Sequence, residues 1–269
     1  MAECNHDCSS CSKDCSSRVP EPATPTSDTK IKNIIGILSG KGGVGKSMVS
    51  SLLAVELANA GYKVGILDAD ITGPSIPKIF GLNDQLYGDE EGIFPAKSKL
   101  GIKVVSINMM LENEDDAVLW RGPILGGVIK QFYTEVHWGE LDYLLIDMPP
   151  GTSDVAISIV QQIPVDKFVM VTTPSKLVSM IVGKTINMAK QVNKPVVGLV
   201  ENMAYVKCDE CGHIINIYKN DETEVTAKKY GLDILGKLPI DSVLANDADE
   251  GNIETYKDNL LKDLVDRLK

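Results

Sequence analysis

Apolar residues along this chain fall into short, nearly unbroken runs set between longer stretches of mixed character. The runs at 34–39, 63–67, 103–107, 143–146, 168–172 and 196–200 are dominated by Val, Ile and Leu. A strand with one buried face alternates apolar and polar positions. A run that is apolar almost throughout is covered on both faces, as in a parallel sheet clad by helices. The intervening text carries apolar positions at helical spacing, and residues 46 to about 60 and 177–192 are expected helices. Residues 34–67 thus form a strand–helix–strand unit, and the whole predicts an α/β fold with a mostly parallel, doubly wound sheet. Such sheets take ligands at the carboxyl ends of their strands. Near the end of the chain Leu260, Leu261, Leu264, Val265 and Leu268 recur at helical spacing, interleaved with Asp258, Asp263 and Asp266. These acids would be repelled by anionic lipid, so the helix is expected to dock on the body.

Residues 1–30 read differently. They hold no apolar run and include Pro20, Pro22 and Pro25 among Ser and Thr, a composition that cannot offset its own ordering entropy. A tail and linker are expected there, with residues 31–269 as a single domain, within reach of one hydrophobic core. The chain carries 27 Lys and Arg against 37 Asp and Glu, a net charge of −10. That balance offers no attraction to a phosphate backbone or an anionic bilayer, which argues against nucleic acid and membrane as partners. The chain opens without a basic patch and apolar core, and its apolar runs fall short of a bilayer span, so a soluble, cytoplasmic protein is expected.

The cysteines sharpen the picture. Cys4, Cys8, Cys11 and Cys15 crowd the first fifteen residues, Cys208 and Cys211 form a C-x-x-C, and the presumed core has none. Without an export signal, that clustering reads as thiolates for metal or redox work in place of disulfides.

Gly40-Lys41-Gly42-Gly43-Val44-Gly45-Lys46-Ser47 fits the pattern G-x-x-x-x-G-K-S and lies between a buried run and a helix, the context a phosphate loop requires. Glycines let successive N–H groups close around phosphate oxygens, and the helix N-terminus adds its positive dipole. Lys46 can reach the β- and γ-phosphates, Ser47 can ligate Mg²⁺, and Met48 continues the binding segment. ATP with Mg²⁺ is the expected ligand. Lys41 does not fit easily into its own chain's cradle and is expected to serve a nucleotide held by a partner subunit. Asp147 ends the run 143–146 and precedes Pro149-Pro150-Gly151; a carboxylate there reaches Mg²⁺ through water while the Gly151 N–H approaches the γ-phosphate. Asp68 and Asp70 end the run 63–67, and Asp70, farther along the loop, is the expected group to orient or deprotonate the attacking water.

Together these residues resemble the Mrp/ApbC family of iron–sulfur carrier ATPases, a branch of the deviant Walker A class that includes MinD, ParA and the nitrogenase iron protein. The resemblance covers residues 31–269. It rests on Ser39 with the phosphate loop, Leu67-Asp68-Ala69-Asp70-Ile71 with Gly73-Pro74-Ser75, Trp120-Arg121-Gly122-Pro123, Asp147-Met148-Pro149-Pro150-Gly151-Thr152, Glu201-Asn202-Met203 and the C-x-x-C. It implies a homodimer that clasps ATP between subunits, with Lys41 reaching across and Asn202 touching adenine. It also implies a [4Fe–4S] cluster bridged by the Cys208 and Cys211 pairs and passed to apo iron–sulfur proteins.

Ligand counting agrees. One C-x-x-C supplies two thiolates and a cubane cluster or a tetrahedral zinc takes four, so a symmetric dimer supplies the missing pair. Zinc stays open at this site, since Cys208-Asp209-Glu210-Cys211-Gly212-His213 also resembles half a zinc ribbon. The N-terminal run C-x₃-C-x₂-C-x₃-C departs from ferredoxin spacing and from that of eukaryotic relatives with a stable N-terminal cluster, yet four thiolates suffice for one metal site. A bound or transient cluster and a metal-free or zinc-loaded tail both fit. Two other readings share the fold: a MinD- or ParA-like positioning ATPase, which needs a basic or lipid-seeking surface not evident here, and an electron-transfer ATPase that keeps its cluster through turnover.

Overall fold

Each long apolar run becomes a strand. The computed structural model describes residues 23–70, 73, 75–90, 92–110, 122–208, 210–218 and 222–269. In chain order its first elements are β1 (Lys30–Ser39), α1 (Lys46–Asn59), β2 (Val64–Asp68), α2 (Ile76–Ile79), a hairpin of β3 (Tyr87–Asp89) and β4 (Gly92–Phe94), β5 (Ala96–Lys97) and β6 (Lys103–Ser106). Then come α3 (Gly122–Thr134), β7 (Glu140–Asp147), α4 (Asp154–Gln162), β8 (Lys167–Thr172), α5 (Lys176–Gln191) and β9 (Val196–Glu201). A second small hairpin, β10 (Val206–Lys207) and β11 (Ile214–Ile215), precedes α6 (Glu222–Tyr230), β12 (Ile234–Lys237), α7 (Ser242–Asp249) and α8 (Lys262–Leu268).

Eight strands form one sheet in the order β12-β9-β8-β1-β7-β2-β6-β5, all parallel except β5, which runs antiparallel to β6. The chain winds one way from β1 through β2 to β6, then returns through β7 and winds the other way. That reversal opens the ligand crevice of a doubly wound sheet at the carboxyl ends of β1, β7 and β2. The three strands end nearly level: Asp147 pairs in register with Ile37 on one side and Asp68 on the other. Two acids are thereby brought side by side at the floor of the crevice.

The core lies on both faces of this sheet, with Ile35, Ile37, Ile66, Leu67, Leu144, Leu145, Val169 and Leu199 all buried. Helix α1 is buried almost all round, because the sheet covers one side and the C-terminal segment the other. Leu261, Leu264, Val265 and Leu268 are buried, Tyr143 Oη donates to Leu268 O at 3.2 Å, and Leu261 N–H donates to Glu56 Oε1 at 2.8 Å. The C-terminal helix therefore docks, starting at Lys262, later than the apolar spacing alone indicates. Among the described residues no helix is long and apolar enough to cross a membrane.

One stretch read from composition as linker lies on the body. Ala23 N–H donates to Gln162 O at 2.8 Å, Thr26 Oγ1 to Val136 O at 3.4 Å, and the Asp28 carboxylate lies 3.0 Å from His137 Nδ1. Polar contacts hold this segment, so an apolar-run criterion passes over it.

Candidate nucleotide and metal site

Between β1 and α1 the expected phosphate loop turns at the sheet's carboxyl end. Gly43 and Gly45 hold φ of 78° and 77°, a left-handed conformation that glycine adopts without strain. A cleft of about 400 Å³ opens above it, lined by Ser39, Lys41, Gly42, Gly43, Gly45, Lys46, Ser47, Met48, Asp70, Gly73, Ser75 and Ile79. A Cβ at Gly42 or Gly43 would meet nothing, so the loop's backbone faces open space there. Gly40, by contrast, is buried, and its Cα lies too close to the α5 backbone to carry a side chain. Val44 is buried, while Lys41 is exposed and reaches toward solvent at the cleft's rim.

Lys46 is only 6% exposed, with Nζ 3.0 Å from Asp147 Oδ2 and 3.5 Å from Asp70 Oδ2. Among the described residues that ammonium has ion-pair partners but no hydrogen bond. A buried cation with donors to spare, beside a backbone cradle, suits the β- and γ-phosphates of a nucleotide. Ser47 Oγ donates to Asp147 Oδ2 at 2.6 Å, which puts a hydroxyl and a carboxylate together as oxygen ligands of the kind Mg²⁺ takes.

Of the two acids at the end of β2 and just beyond it, the structure separates the roles. Asp68 is fully buried and accepts from Ser106 Oγ at 3.2 Å and from the backbone N–H groups of Asp70 and Ile76. Its pKa is pushed up to about 8, first by burial and then by the neighbouring Asp147, with Lys46 pulling the other way. Asp70 lies beyond it, part-exposed and on the cleft wall. Gly151, at φ 74°, hangs its N–H on Ser39 O at 2.9 Å, which ties the loop after β7 to the end of β1.

Asn202, just past β9, is buried against the loop, and its Nδ2 donates to Val44 O at 3.0 Å. Six residues later the chain reaches the C-x-x-C. Cys208 is half-buried and Cys211 exposed, and neither forms a disulfide among the described residues. Cys208 N–H donates to His213 O at 2.9 Å and Gly212 N–H to Cys208 O at 2.8 Å, closing a tight knuckle between β10 and β11 in which His213 serves through its carbonyl. Among the described residues no three His, Cys, Asp or Glu side chains converge as a metal-holding group. Cys4, Cys8, Cys11, Cys15, Trp120, Arg121 and Pro74 lie outside the described residues.

Sequence reasoning missed Ser50, whose Oγ donates to Asp147 Oδ1 at 2.7 Å and so occupies the carboxylate oxygen that Ser47 leaves. Its signal was present: a serine one turn after Lys46 on the helix that the phosphate loop opens. Ser106, at the end of β6, could be found only once β2 and β6 were known to be neighbours.

Comparison with known proteins fits this geometry. The profile described as "NUBPL iron-transfer P-loop NTPase", of the ParA group, matches residues 30–268. The chain is 49% identical over 259 residues to the iron–sulfur cluster carrier protein of Clostridium perfringens, covering 93% of this chain and 90% of that one. It is 44% identical to the carrier protein of Methanocaldococcus jannaschii, with the same two coverages, 93% and 90%. Among solved structures, the Archaeoglobus fulgidus nucleotide-binding protein in complex with ADP superposes with a TM-score of 0.77 at 43% identity, covering 86% of this chain and 90% of that one. The cell-division ATPase MinD of Pyrococcus furiosus shares the fold, with a TM-score of 0.62 at 24% identity over 88% of this chain and 97% of that one. With its phosphate loop and paired strand-end acids in place, this chain is a P-loop ATPase and belongs to the iron–sulfur cluster carrier family.

Proposed function

We propose that the protein acts in the cytoplasm as a homodimer that hydrolyses ATP, holds a [4Fe–4S] cluster between the Cys208 and Cys211 pairs of its two subunits, and passes it to apo iron–sulfur proteins. The observation that carries this reading is an incomplete thiol pair on an exposed knuckle at the same end of the sheet as the phosphate cradle. Two thiolates per chain call for two more, and a two-fold axis supplies them.

In this reading the N–H groups of residues 40–45 and the Lys46 ammonium bind the phosphates, with Lys46 turning from Asp70 toward the γ-phosphate. Freed of that ion pair, Asp70 orients the water that attacks the γ-phosphorus as the bond to the ADP oxygen breaks. Ser47 would hold Mg²⁺ directly and Asp147 through water; the ion, when bound, offsets the charge of the phosphates. Gly151 approaches the γ-phosphate, Met48 flanks the loop, Asn202 offers its Oδ1 to the adenine amino group, and Lys41 reaches the partner's nucleotide. Cys4, Cys8, Cys11 and Cys15 form a second thiolate set on the same chain.

Anaerobic purification followed by iron, sulfide and zinc analysis and incubation with an apo-acceptor enzyme tests the proposal. About four irons and four sulfides per bridging site, with acceptor activation, are expected. Stoichiometric zinc without sulfide, or a cluster that cycles redox state and is never released, would overturn it.

A further inference from the structure

One hydrogen bond lies between the phosphate loop and the knuckle. Val44 O, which accepts from Asn202 Nδ2, belongs to the same peptide unit as the Gly45 N–H. That unit is trans, so its carbonyl and its N–H point to opposite sides of one rigid plane. A group that engages the Gly45 N–H from the cleft acts on the same plane that Asn202 holds from behind. The contact is closely built: Asn202 is 6% exposed, and a Cβ at Gly45 would come within 2.1 Å of Nδ2, so only glycine lets the amide in.

Past Asn202 the chain has little slack. Asn202 N–H donates to Thr172 O at 2.8 Å. Met203 follows at φ 55°, a left-handed conformation that is strained for a side-chain-bearing residue. Ala204 N–H then donates to Leu238 O and Ile240 N–H to Tyr205 O, both at 2.8 Å, and Val206 bridges to Ile240. Val206 and Lys207 are β10, and Cys208 is next.

We propose that Asn202 is a positioning residue that couples phosphate occupancy of the loop to the orientation of the Cys208 and Cys211 thiols. The peptide joining Val44 and Gly45 is the transmitting group and Met203 the hinge. A phosphate oxygen accepting from the Gly45 N–H polarises that peptide and makes its carbonyl a stronger acceptor for Asn202. Asn202 is anchored to β8 and the following residues to the end of β12, so the backbone change falls on Met203, the one strained position between them. By linkage, a ligand on the thiols then changes nucleotide affinity by the same factor. The inference rests on the carrier reading for its biological sense, but its test does not.

The test uses full-length, reduced, metal-free protein. Iodoacetamide alkylation rates at Cys208 and Cys211 are read by peptide mass spectrometry without nucleotide and with saturating Mg²⁺-ADP or a non-hydrolysable ATP analogue. Wild type is expected to change rate about fivefold or more on nucleotide binding. Asn202→Leu, which removes the donor, and Met203→Gly, which relaxes the hinge, are expected to bring the ratio within about twofold of one at saturation of each variant. A general loss of structure would also bring the ratio to one but would raise the nucleotide-free rates toward those of the denatured chain, so both variants are expected to keep nucleotide-free rates close to those of wild type. A wild-type ratio of one overturns the proposal, as does a wild-type ratio in Met203→Gly, which keeps the amide in place even if Asn202→Leu no longer binds nucleotide. Protein that shows the coupling but never loads iron and sulfide would keep this inference and sink the carrier reading; protein that loads and transfers a cluster with a ratio of one would do the reverse.

Discussion

The phosphate cradle and the cysteine knuckle sit at one end of the same sheet but are built in opposite ways. The cradle rests on the ends of three core strands, and its two deepest acids, Asp68 and Asp147, are fully buried with serine or backbone donors on their oxygens. The knuckle stands on strands of two residues each, with Ile214, Ile215, Ile217 and Tyr218 40–54% exposed around it. Cradle geometry is thus enforced by one chain's core packing. A single chain leaves the knuckle with two thiolates and uncovered apolar side chains, and in the proposed dimer a second copy completes both.

The sharpest way to break this contrast is Cys208→Ala in a full-length chain whose Cys4, Cys8, Cys11 and Cys15 are Ser. Bridge-bound iron and sulfide should fall to near nothing, while the ATP affinity of the metal-free variant stays as in the metal-free parent, because the cradle contains no thiol. Four irons per dimer retained in that variant would end the bridging assignment. Next in size, Lys46→Ala should weaken nucleotide binding by about 30-fold or more by calorimetry with the fold intact by circular dichroism, since a buried charge partner is removed. Wild-type affinity would move the phosphate site elsewhere.

A smaller effect sharpens the knuckle side. Ile215→Ser should leave thermal stability within about 0.5 kcal/mol, as for most exposed positions, yet weaken self-association of cluster-loaded protein by roughly tenfold in sedimentation equilibrium. Equal association would place the copies' contact away from the hairpin. The smallest effect belongs to α1, which carries Lys46. Glu56 is held against the C-terminal segment, and burial raises its pKa despite the backbone N–H groups of Leu261 and Leu260. A raised carboxyl contributes stability that is full below its unfolded value and is lost as pH rises through the folded one. Glu56→Gln keeps the acceptor and removes that loss, so relative to wild type it should gain stability, on the order of 0.5 kcal/mol, as pH climbs from about 4.5 to 7. A gap that does not widen with pH would show that Glu56 ionises without cost.

How much of this could be read beforehand depended on how local each signal was. The runs that became β1, β2, β7, β8 and β9 announce themselves because both of their faces are covered, and the phosphate loop is a contiguous eight-residue signature. The two hairpins left no trace, since strands of two or three residues are too short for periodicity to register. The insertion of β7 between β1 and β2, which sets Asp147 beside Asp68, joins residues about eighty positions apart and is a matter of topology. For the same reason Asp68 could be named from sequence while the upward push on its pKa could not. Residues 23–29 escaped because hydrogen bonds hold them.

The two flanks of the sheet constrain how copies of this protein can meet. On one side β5 offers just two residues, one of them Lys97. On the other, β12 is four residues long with a register irregularity, and Gly236 is packed against Leu261 of the C-terminal segment. Short, interrupted and helix-flanked borders of this kind make poor templates for adding another strand, so neither edge invites open-ended β-pairing. In the proposed dimer, association is left to the loops at the strands' carboxyl ends, where two copies would close on each other and stop.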